Sequence, residues 1–349
     1  MDTKRLSDKI EEKFDELIDK TISCINEGES RPDFSFNESK SVRDLEYILN
    51  YLAEAVYFDN NDLFNDFSIW LSSLFENIGL SEDVFINTYN SIQKVIKDNF
   101  EPKERIYLNN IIDSSIKKAL NEKNKEDSYL TEDNPHKDFA DKYLNLLLDN
   151  EKTEASNLIV NEAISKMSIP EIYLDILEPV QKEVGRLWHA NEITVAQEHY
   201  ISSVTQLVMS QLYSRFLSSG GKKGNIVTTA VGKELHEIGI RMVADLLEID
   251  GFDTIHLGAN TPPTSIIETL KKNRTVLVGI SVTLPIHLKE LVQLVDMIRN
   301  EPELTNIKIL VGGYALNQNP ELKKELDVDA YSMNAKEAVQ KANKLIEGV

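Results

Sequence analysis

The sequence predicts a chain of three parts: an all-helical N-terminal domain, a four-helix bundle and a C-terminal α/β domain with a doubly wound parallel sheet. Apolar residues recur every three or four positions in the segments before about residue 218, which is typical of amphipathic helices. Beyond residue 224, short β-rich runs alternate with helical runs, as in a parallel sheet covered by helices. Polar stretches at 121–137 and 218–224 separate the parts. The predicted domains are 1–130, 131–219 and 220–349.

The N-terminal domain is expected to contain five helices, divided by turn signals such as Arg31-Pro32-Asp33 and Glu101-Pro102. The predicted helices are 6–25, 42–58, 61–78, 81–100 and 104–120. Aromatic residues such as Phe67 recur here at helical spacing, which favours a hydrophobic core over a ligand pocket.

Four further helices with short connections predict an antiparallel bundle. They are 138–149, 152–166, 169–189 and 193–218. In the last domain the predicted strands are 225–230, 253–257, 276–281, 307–311 and 328–332. The predicted helices between and after them are 235–250, 262–272, 286–300, 319–325 and 335–347.

Composition and charge exclude several classes of protein. The chain has 349 residues and 41% hydrophobic content, enough to give each domain a core. A formal net charge of −20 argues against direct nucleic-acid binding, which depends on lysine and arginine displacing counterions. No apolar run approaches the ~20 residues that span a bilayer, and the first residues do not resemble a signal peptide. We therefore expect a cytoplasmic protein with no membrane partner.

The single cysteine, Cys24, excludes an internal disulfide framework and a thiolate cluster within one chain. A metal would have to be held by histidine, by carboxylate or inside a cofactor.

A histidine motif, Glu234-Leu235-His236-x-x-Gly239, follows the first predicted strand. It should lie at the carboxyl edge of the sheet, where open α/β sheets bind ligands. Neutral imidazole is a good cobalt ligand, and Glu234 could hold its second nitrogen. The segments Ser281-x-Thr283 and Gly312-Gly313 end later strands at the same edge.

A second motif, Trp188-x9-Glu198-His199, lies in the predicted bundle. It looks suited to cover the face of a cofactor opposite His236. The alternative is a core tryptophan followed by a glutamate and a histidine on a helix surface. Taken together, the two motifs predict a cobalt corrinoid held between the bundle and the sheet.

Residues 138–349 resemble the cobalamin-binding module in which a four-helix bundle caps a flavodoxin-like domain. The resemblance implies that His236 replaces the cofactor's benzimidazole as the lower cobalt ligand, and that Gly239 allows close approach of the corrin. It also implies contacts to the nucleotide tail from Ser281, Thr283, Gly312 and Gly313.

The bundle motif resembles that of the CarH-type adenosylcobalamin photoreceptors. This implies that Trp188 covers the adenosyl group, that Glu198 bonds to the adenosine and that His199 frames the pocket. His189 would bind cobalt from above once light breaks the cobalt–carbon bond. We expect a light-sensing signalling protein rather than an enzyme, with a rearranging cap and adenosylcobalamin as cofactor.

The MerR-type DNA-binding domain of those photoreceptors is absent from the sequence, so the output is expected to pass through a protein partner or a separate output domain. A bilin as second chromophore and a homo-oligomer are left open. The alternative function is a corrinoid carrier that moves methyl groups between partner methyltransferases. A radical mutase would need a catalytic barrel for which no sequence remains.

Overall fold

The computed structural model describes residues 1–27, 38–124, 127–216 and 223–347. It divides into two compact units, Met1–Glu126 and Asp127–Val349. The first is helical, and the second combines helices with a five-stranded parallel sheet. The predicted fold class is therefore confirmed. The predicted break at 31–33 and most of the predicted link at 218–224 lie outside the described residues.

Six α-helices form the described part of the first unit. They are α1 Thr3–Glu12, α2 Phe14–Glu27, α3 Glu38–Tyr57, α4 Asn61–Asn77, α5 Glu82–Asn99 and α6 Pro102–Asn121. The prediction of one helix over 6–25 is wrong, because Lys13 leaves helical geometry at φ −99° and ψ 9°. The aromatic residues form the core: Phe64, Phe85 and Tyr89 are fully buried, and the Tyr89 hydroxyl hydrogen-bonds to Ser68 at 2.8 Å.

The helices of the bundle are interrupted by π-helical turns. Its elements are α7 Lys137–Leu148, α8 Lys152–Asn157, a π-turn Leu158–Glu162, a 3-10 turn Ala163–Ser165, α9 Ile169–Glu171, a π-turn Ile172–Leu177, α10 Glu178–His189 and α11 Val195–Tyr213. Capping boxes start two of them, with Ser168 and Thr194 as N-caps. Apolar faces of all four segments meet in one core that includes Tyr143, Ile176 and Val208.

The strands of the sheet are β1 Asn225–Ala230, β2 Asp253–His256, β3 Leu277–Ser281, β4 Lys308–Gly312 and β5 Ala330–Ser332, in the order β2-β1-β3-β4-β5. All four strand pairs are parallel. The helices are α12 Ile238–Ile249, α13 Pro263–Lys272, α14 Leu288–Arg299, α15 Tyr314–Gln318 and α16 Ala335–Ile346, with short 3-10 turns Pro285–His287, Pro302–Leu304 and Pro320–Glu325.

Two helix predictions in this domain are corrected. The segment predicted as a helix at 319–325 is a 3-10 turn, and α15 just before it was not predicted. Helix α12 begins at Ile238 rather than at 235, because Gly232 takes a positive φ of 49° and the Glu234 carboxylate accepts the His236 amide. The Glu234-Leu235-His236 part of the motif therefore lies in a loop, and Gly239 lies in the first turn of α12. None of the helices in the described ranges is long and apolar enough to cross a membrane.

A buried acid joins the bundle to the sheet domain. The Tyr173 hydroxyl, in the second π-turn, donates to Asp245 Oδ2 of α12 at 2.7 Å. Burial raises the pKa of Asp245 to about 6, and the nearby charge of Glu248 adds to the rise, while the hydrogen bond from Tyr173 and the charge of Arg241 oppose it. Between about pH 4 and pH 6, Asp245 is therefore protonated in the native state, whereas the same carboxyl group is already ionised in the unfolded chain.

This contact predicts a pH-dependent stability. A raised native pKa means that the unfolding free energy falls as pH rises from about 4 to about 6. Asp245→Asn should remove that fall and stabilise the protein at pH 7 by up to about 3 kcal/mol, since each pKa unit is worth about 1.4 kcal/mol. Urea denaturation at several pH values measures this. Asp296→Asn, on the exposed face of α14, is the control, and equal pH profiles for wild type and Asp245→Asn would contradict the prediction.

Candidate functional site

The carboxyl ends of four strands form one rim of the sheet. Ala230, Ser281, Gly312 and Ser332 end β1, β3, β4 and β5 and lie next to one another in register. The chain reverses direction across the sheet between β1 and β3, because β2 pairs with the other side of β1. A reversal of this kind opens a crevice at the carboxyl ends, and open α/β sheets bind their ligands there.

His236 lies in the loop that follows β1 at this reversal. Its Nδ1–H donates to Glu234 Oε1 at 2.5 Å, and 58% of its side-chain surface is exposed. Among the described residues Nε2 has no hydrogen-bond partner. The ring is thus fixed through one nitrogen and presents the other.

Glu234 connects the two loops that border the crevice. Its side chain is fully buried, its Oε1 also accepts the His236 amide at 3.0 Å, and its Oε2 accepts the amides of Thr283 and Leu284 at 3.0 and 2.8 Å. The loop after β1 is therefore tied to the loop after β3 through one carboxylate. Thr283 takes part through its backbone, which the sequence pattern could not show.

The two ionisable groups stabilise each other's charge. Burial works against the charged carboxylate, but the bonds from His236 and Leu284 hold the pKa of Glu234 down at about 2. Burial likewise disfavours a charged imidazole, yet Glu234 and the negative charge of Glu198 together raise the pKa of His236. An anionic carboxylate behind an imidazole increases the electron density at the outer nitrogen and so its strength as a ligand.

The glycines at the rim have different surroundings. A Cβ on Gly239 would meet no atom within 4 Å, so this position adjoins open space. A Cβ on Gly313, where φ is 113°, would lie 2.1 Å from the Val282 carbonyl oxygen, and one on Gly312 would lie 2.8 Å from the Ser332 carbonyl oxygen. These close contacts within the sheet domain are enough to explain why both positions are glycine.

A second carboxylate, that of Glu290, also supports the loop after β1, and the sequence did not predict its role. Glu290 Oε2 accepts the Lys233 amide at 3.2 Å and contacts His287 Nδ1 at 3.1 Å. Gly232, at a positive φ of 49°, leaves room for the Glu290 carboxylate, since a Cβ there would lie 1.7 Å from the same oxygen unless the Glu290 side chain moved. The i, i+3 spacing of His287 and Glu290 indicates a local pair in the sequence but not the contact with Lys233.

The bundle brings Glu198 toward the rim. Its charge acts on His236, its Oε1 accepts from Ser202 at 2.9 Å, and its Oε2 contacts His199 Nδ1 at 2.5 Å. Further along α11, Gln206 donates to Glu237 Oε1 at 3.2 Å, and Glu237 Oε2 accepts the Ala259 amide after β2. These contacts link α11 to the histidine loop.

The other residues of the bundle motif are arranged as in an ordinary bundle. Trp188 is half-buried and packs against the bundle core. His189 is buried, with 6% of its surface exposed, whereas 74% of the His199 side chain is exposed. Leu235, next to His236, is a strongly exposed apolar residue at the rim.

The arrangement fits a metal bound in a cofactor that itself supplies most of the metal's ligands. The rim offers one imidazole whose inner nitrogen is held by a buried carboxylate, together with open space at Gly239. In the described residues no group of three or more histidine, cysteine, aspartate or glutamate side chains could hold a metal ion. One imidazole nitrogen would suit a cobalt atom held in a corrin ring.

Comparisons with known proteins agree with this geometry. Two family models described as B12 binding domains match residues 140–213 and 224–342. The dimethylamine corrinoid protein 3 of Methanosarcina acetivorans is 30% identical over 190 residues, which are 54% of this chain and 87% of that protein. The chain belongs to the corrinoid protein family. Cobalamin is therefore its class of cofactor.

Two further corrinoid proteins are similar to parts of this chain. A dimethylamine corrinoid protein of Methanosarcina barkeri is 30% identical over 129 residues, 37% of this chain, and the match spans only 60% of that relative's length. The structure of the monomethylamine corrinoid protein of Methanosarcina barkeri matches with a TM-score of 0.54 at 21% identity, covering 60% of this chain and 99% of that one. This likeness supports the shared fold.

The prediction of a CarH-type photoreceptor as the main function is wrong. The relatives just described are named as dimethylamine and monomethylamine corrinoid proteins rather than as light sensors. The error came from the bundle motif. Trp188 is half-buried against the bundle core and His199 is exposed, an arrangement that an ordinary helix bundle also has, so the spacing of the motif alone did not identify a photoreceptor.

Proposed function

We propose that this chain is a corrinoid carrier that accepts a methyl group from one partner methyltransferase and delivers it to another. The observation that carries the proposal is the similarity to a dimethylamine corrinoid protein over both the bundle and the sheet domain, 87% of that protein's length. The catalytic machinery for removing methyl groups from their donors would then belong to the partners, and small methylated amines are the proposed donor class.

His236 is the proposed lower ligand, and Glu234 is the residue that orients it. Bound cobalamin supplies a cobalt atom that can accept and release a methyl group. Glu234 fixes the imidazole in the tautomer whose Nε2 is a lone-pair donor, because Nδ1 holds the proton in the hydrogen bond. Since Glu234 is also bonded to Thr283 and Leu284, the ligand is positioned by two loops rather than one.

The remaining predicted contacts belong to the same proposal. Ser281, Thr283, Gly312 and Gly313 are proposed to border the slot for the nucleotide tail, and Gly239 the approach of the corrin edge. Glu198 and Trp188 are proposed to face the upper side of the cofactor. His199, exposed beside Glu198, would lie at the border of that surface, where a partner enzyme has to reach.

A carrier of methyl groups needs neither an adenosyl ligand nor a bilin, and ligation by His189 belonged to the photochemical prediction. Adenosylcobalamin binding, a bilin, a homo-oligomer and a cytoplasmic location stay predictions of the sequence. The same holds for the boundaries at 130 and 219, which divide the cap and the sheet domain from the rest.

Transfer of a labelled methyl group tests the proposal. The full chain, loaded with cobalamin and reduced, is mixed with a dimethylamine methyltransferase and [¹⁴C-methyl]dimethylamine, with monomethylamine and its methyltransferase in parallel. We expect label on the protein-bound corrinoid only when enzyme, donor and loaded chain are all present. The Methanosarcina barkeri dimethylamine corrinoid protein serves as positive control. Label on that control but none on this chain with either donor would refute the carrier assignment.

A further inference from the structure

The N-terminal unit contains a groove that the corrinoid site does not use. It has a volume of about 740 Å³ and is lined by the end of α2, by one face of α5 and by the first half of α6. This size lies within the roughly 300–1,000 Å³ of small-molecule sites. All of its walls belong to the first compact unit.

The charge of the lining is opposite to that of the chain. The chain carries 58 acidic residues against 38 basic ones, yet the groove is lined by Lys94, Lys97 and Arg105 and by no carboxylate among the described residues. Lys94 and Lys97 are the only lysine or arginine residues between positions 51 and 100. The cations of this segment are thus gathered at one place.

These three cations are not neutralised within the described residues. Neither lysine forms an ion pair there, and Arg105 uses Nη1 to donate to the Lys97 carbonyl at 2.8 Å. That bond fixes the guanidinium beside the last turn of α5. Like charges three residues apart on a helix destabilise it slightly, so an anion bound between them would relieve repulsion.

Two other features define the rest of the ligand. Asn109 lines the groove, and its buried Oδ1 has no hydrogen-bond partner among the described residues. A buried acceptor without a donor costs about 1–3 kcal/mol, which a small rotation of the Asn109 side chain toward a ligand hydroxyl or amine in the groove would recover. Ile25 and Ile106 supply apolar wall, and Ile106 is exposed over 63% of its surface.

From these observations we propose that the groove between α2, α5 and α6 binds a small organic anion, a carboxylate or a phosphate ester that also carries a hydroxyl or amine donor. Lys94, Lys97 and Arg105 bind the anionic group, and Asn109 accepts from the donor. The N-terminal unit is then a ligand-binding domain attached to the corrinoid module. This inference is independent of whether the chain carries methyl groups.

The only cysteine of the chain provides the readout. Cys24 lines the groove and is partly exposed, so a thiol reagent modifies this one residue. The probes are malate, a hydroxy acid, and glycerol 3-phosphate, a phosphate ester. Succinate, which lacks the hydroxyl, is the control for the donor group. At a probe concentration about ten times its Kd, modification of Cys24 in the full chain should slow about tenfold, because the bound form is protected. Calorimetric titration with the same probes gives a second measurement.

Matched variants decide whether the groove is responsible. The double variant Lys94→Ala/Lys97→Ala should lose the protection, while Lys103→Ala, an exposed lysine of α6 outside the lining, should keep it. Protection by malate but not by glycerol 3-phosphate, or the reverse, assigns the anion class. Three results would overturn the proposal: no protection and no heat with either probe, equal protection by potassium chloride at the same ionic strength, or undiminished protection in the double variant.

Discussion

His236→Ala is expected to weaken cobalamin binding by at least about 10–100-fold, the range found when even the groups supporting a metal ligand are removed. The imidazole is fixed by Glu234 and presents Nε2 at the sheet rim, so its loss removes the proposed protein ligand to cobalt. Whatever cofactor still binds should keep its own benzimidazole on the metal. Equilibrium dialysis gives the affinity, and the absorption spectrum gives the lower ligand.

His136→Ala is the matched control for this experiment. His136 occupies the N-cap position of α7 in the bundle and does not belong to the loops at the rim of the sheet. The His136→Ala protein should bind cobalamin with the affinity of the wild type. A His236→Ala protein with wild-type affinity and an unchanged spectrum would remove His236 from the site.

Glu234→Ala is expected to reduce both stability and cofactor affinity. The buried carboxylate accepts three backbone amides, those of His236, Thr283 and Leu284, and alanine would leave all three without their acceptor. Hydrogen bonds to a charged group contribute about 1.5–3 kcal/mol each, and water recovers part of that, so we expect a loss of about 2–4 kcal/mol in unfolding free energy. The freed imidazole should lower cobalamin affinity about 10–100-fold.

Glu234→Gln separates the two effects, because it keeps the size and one acceptor oxygen while removing the charge. Its stability should fall less than that of the alanine variant, while the cofactor affinity should still fall. Glu268→Ala, on the exposed surface of α13, controls for loss of a negative charge. If Glu234→Ala unfolded at the same urea concentration as Glu268→Ala, the carboxylate would not connect the two loops as described.

The sheet was predictable because β1, β3 and β4 are short apolar runs bounded by turn residues, with helical runs alternating between them. The predicted 225–230 and the observed β1 coincide, and the other four strands differ by one or two residues at their ends. Helix boundaries failed where tertiary contacts decide them. The apolar spacing continues through Lys13, although the backbone turns there. At 232–237 the buried Glu234 carboxylate holds the amide and the ring of His236, and the chain remains a loop up to Glu237.

Part of the site was visible in the sequence and part was not. The motif around His236 could be recognised because ligand and supporting carboxylate are two residues apart. Glu290 supports the same loop from 57 residues away through Lys233, a contact that no local spacing reveals. The bundle motif misled for the opposite reason: its spacing matched a photoreceptor, but Trp188 also satisfies the ordinary packing of a helix bundle.

The identity of the nitrogen bound to cobalt shows whether His236 is the protein ligand. The full chain is produced with ¹⁵N-labelled histidine, loaded with unlabelled cobalamin in the paramagnetic Co(II) state, and examined by electron paramagnetic resonance. If a protein imidazole is the lower ligand, the cobalt lines should split into doublets, because ¹⁵N has spin one half. His236→Ala should abolish the doublets. Triplets in the labelled wild-type protein would show the ¹⁴N of the cofactor's own base on the metal and would contradict the account.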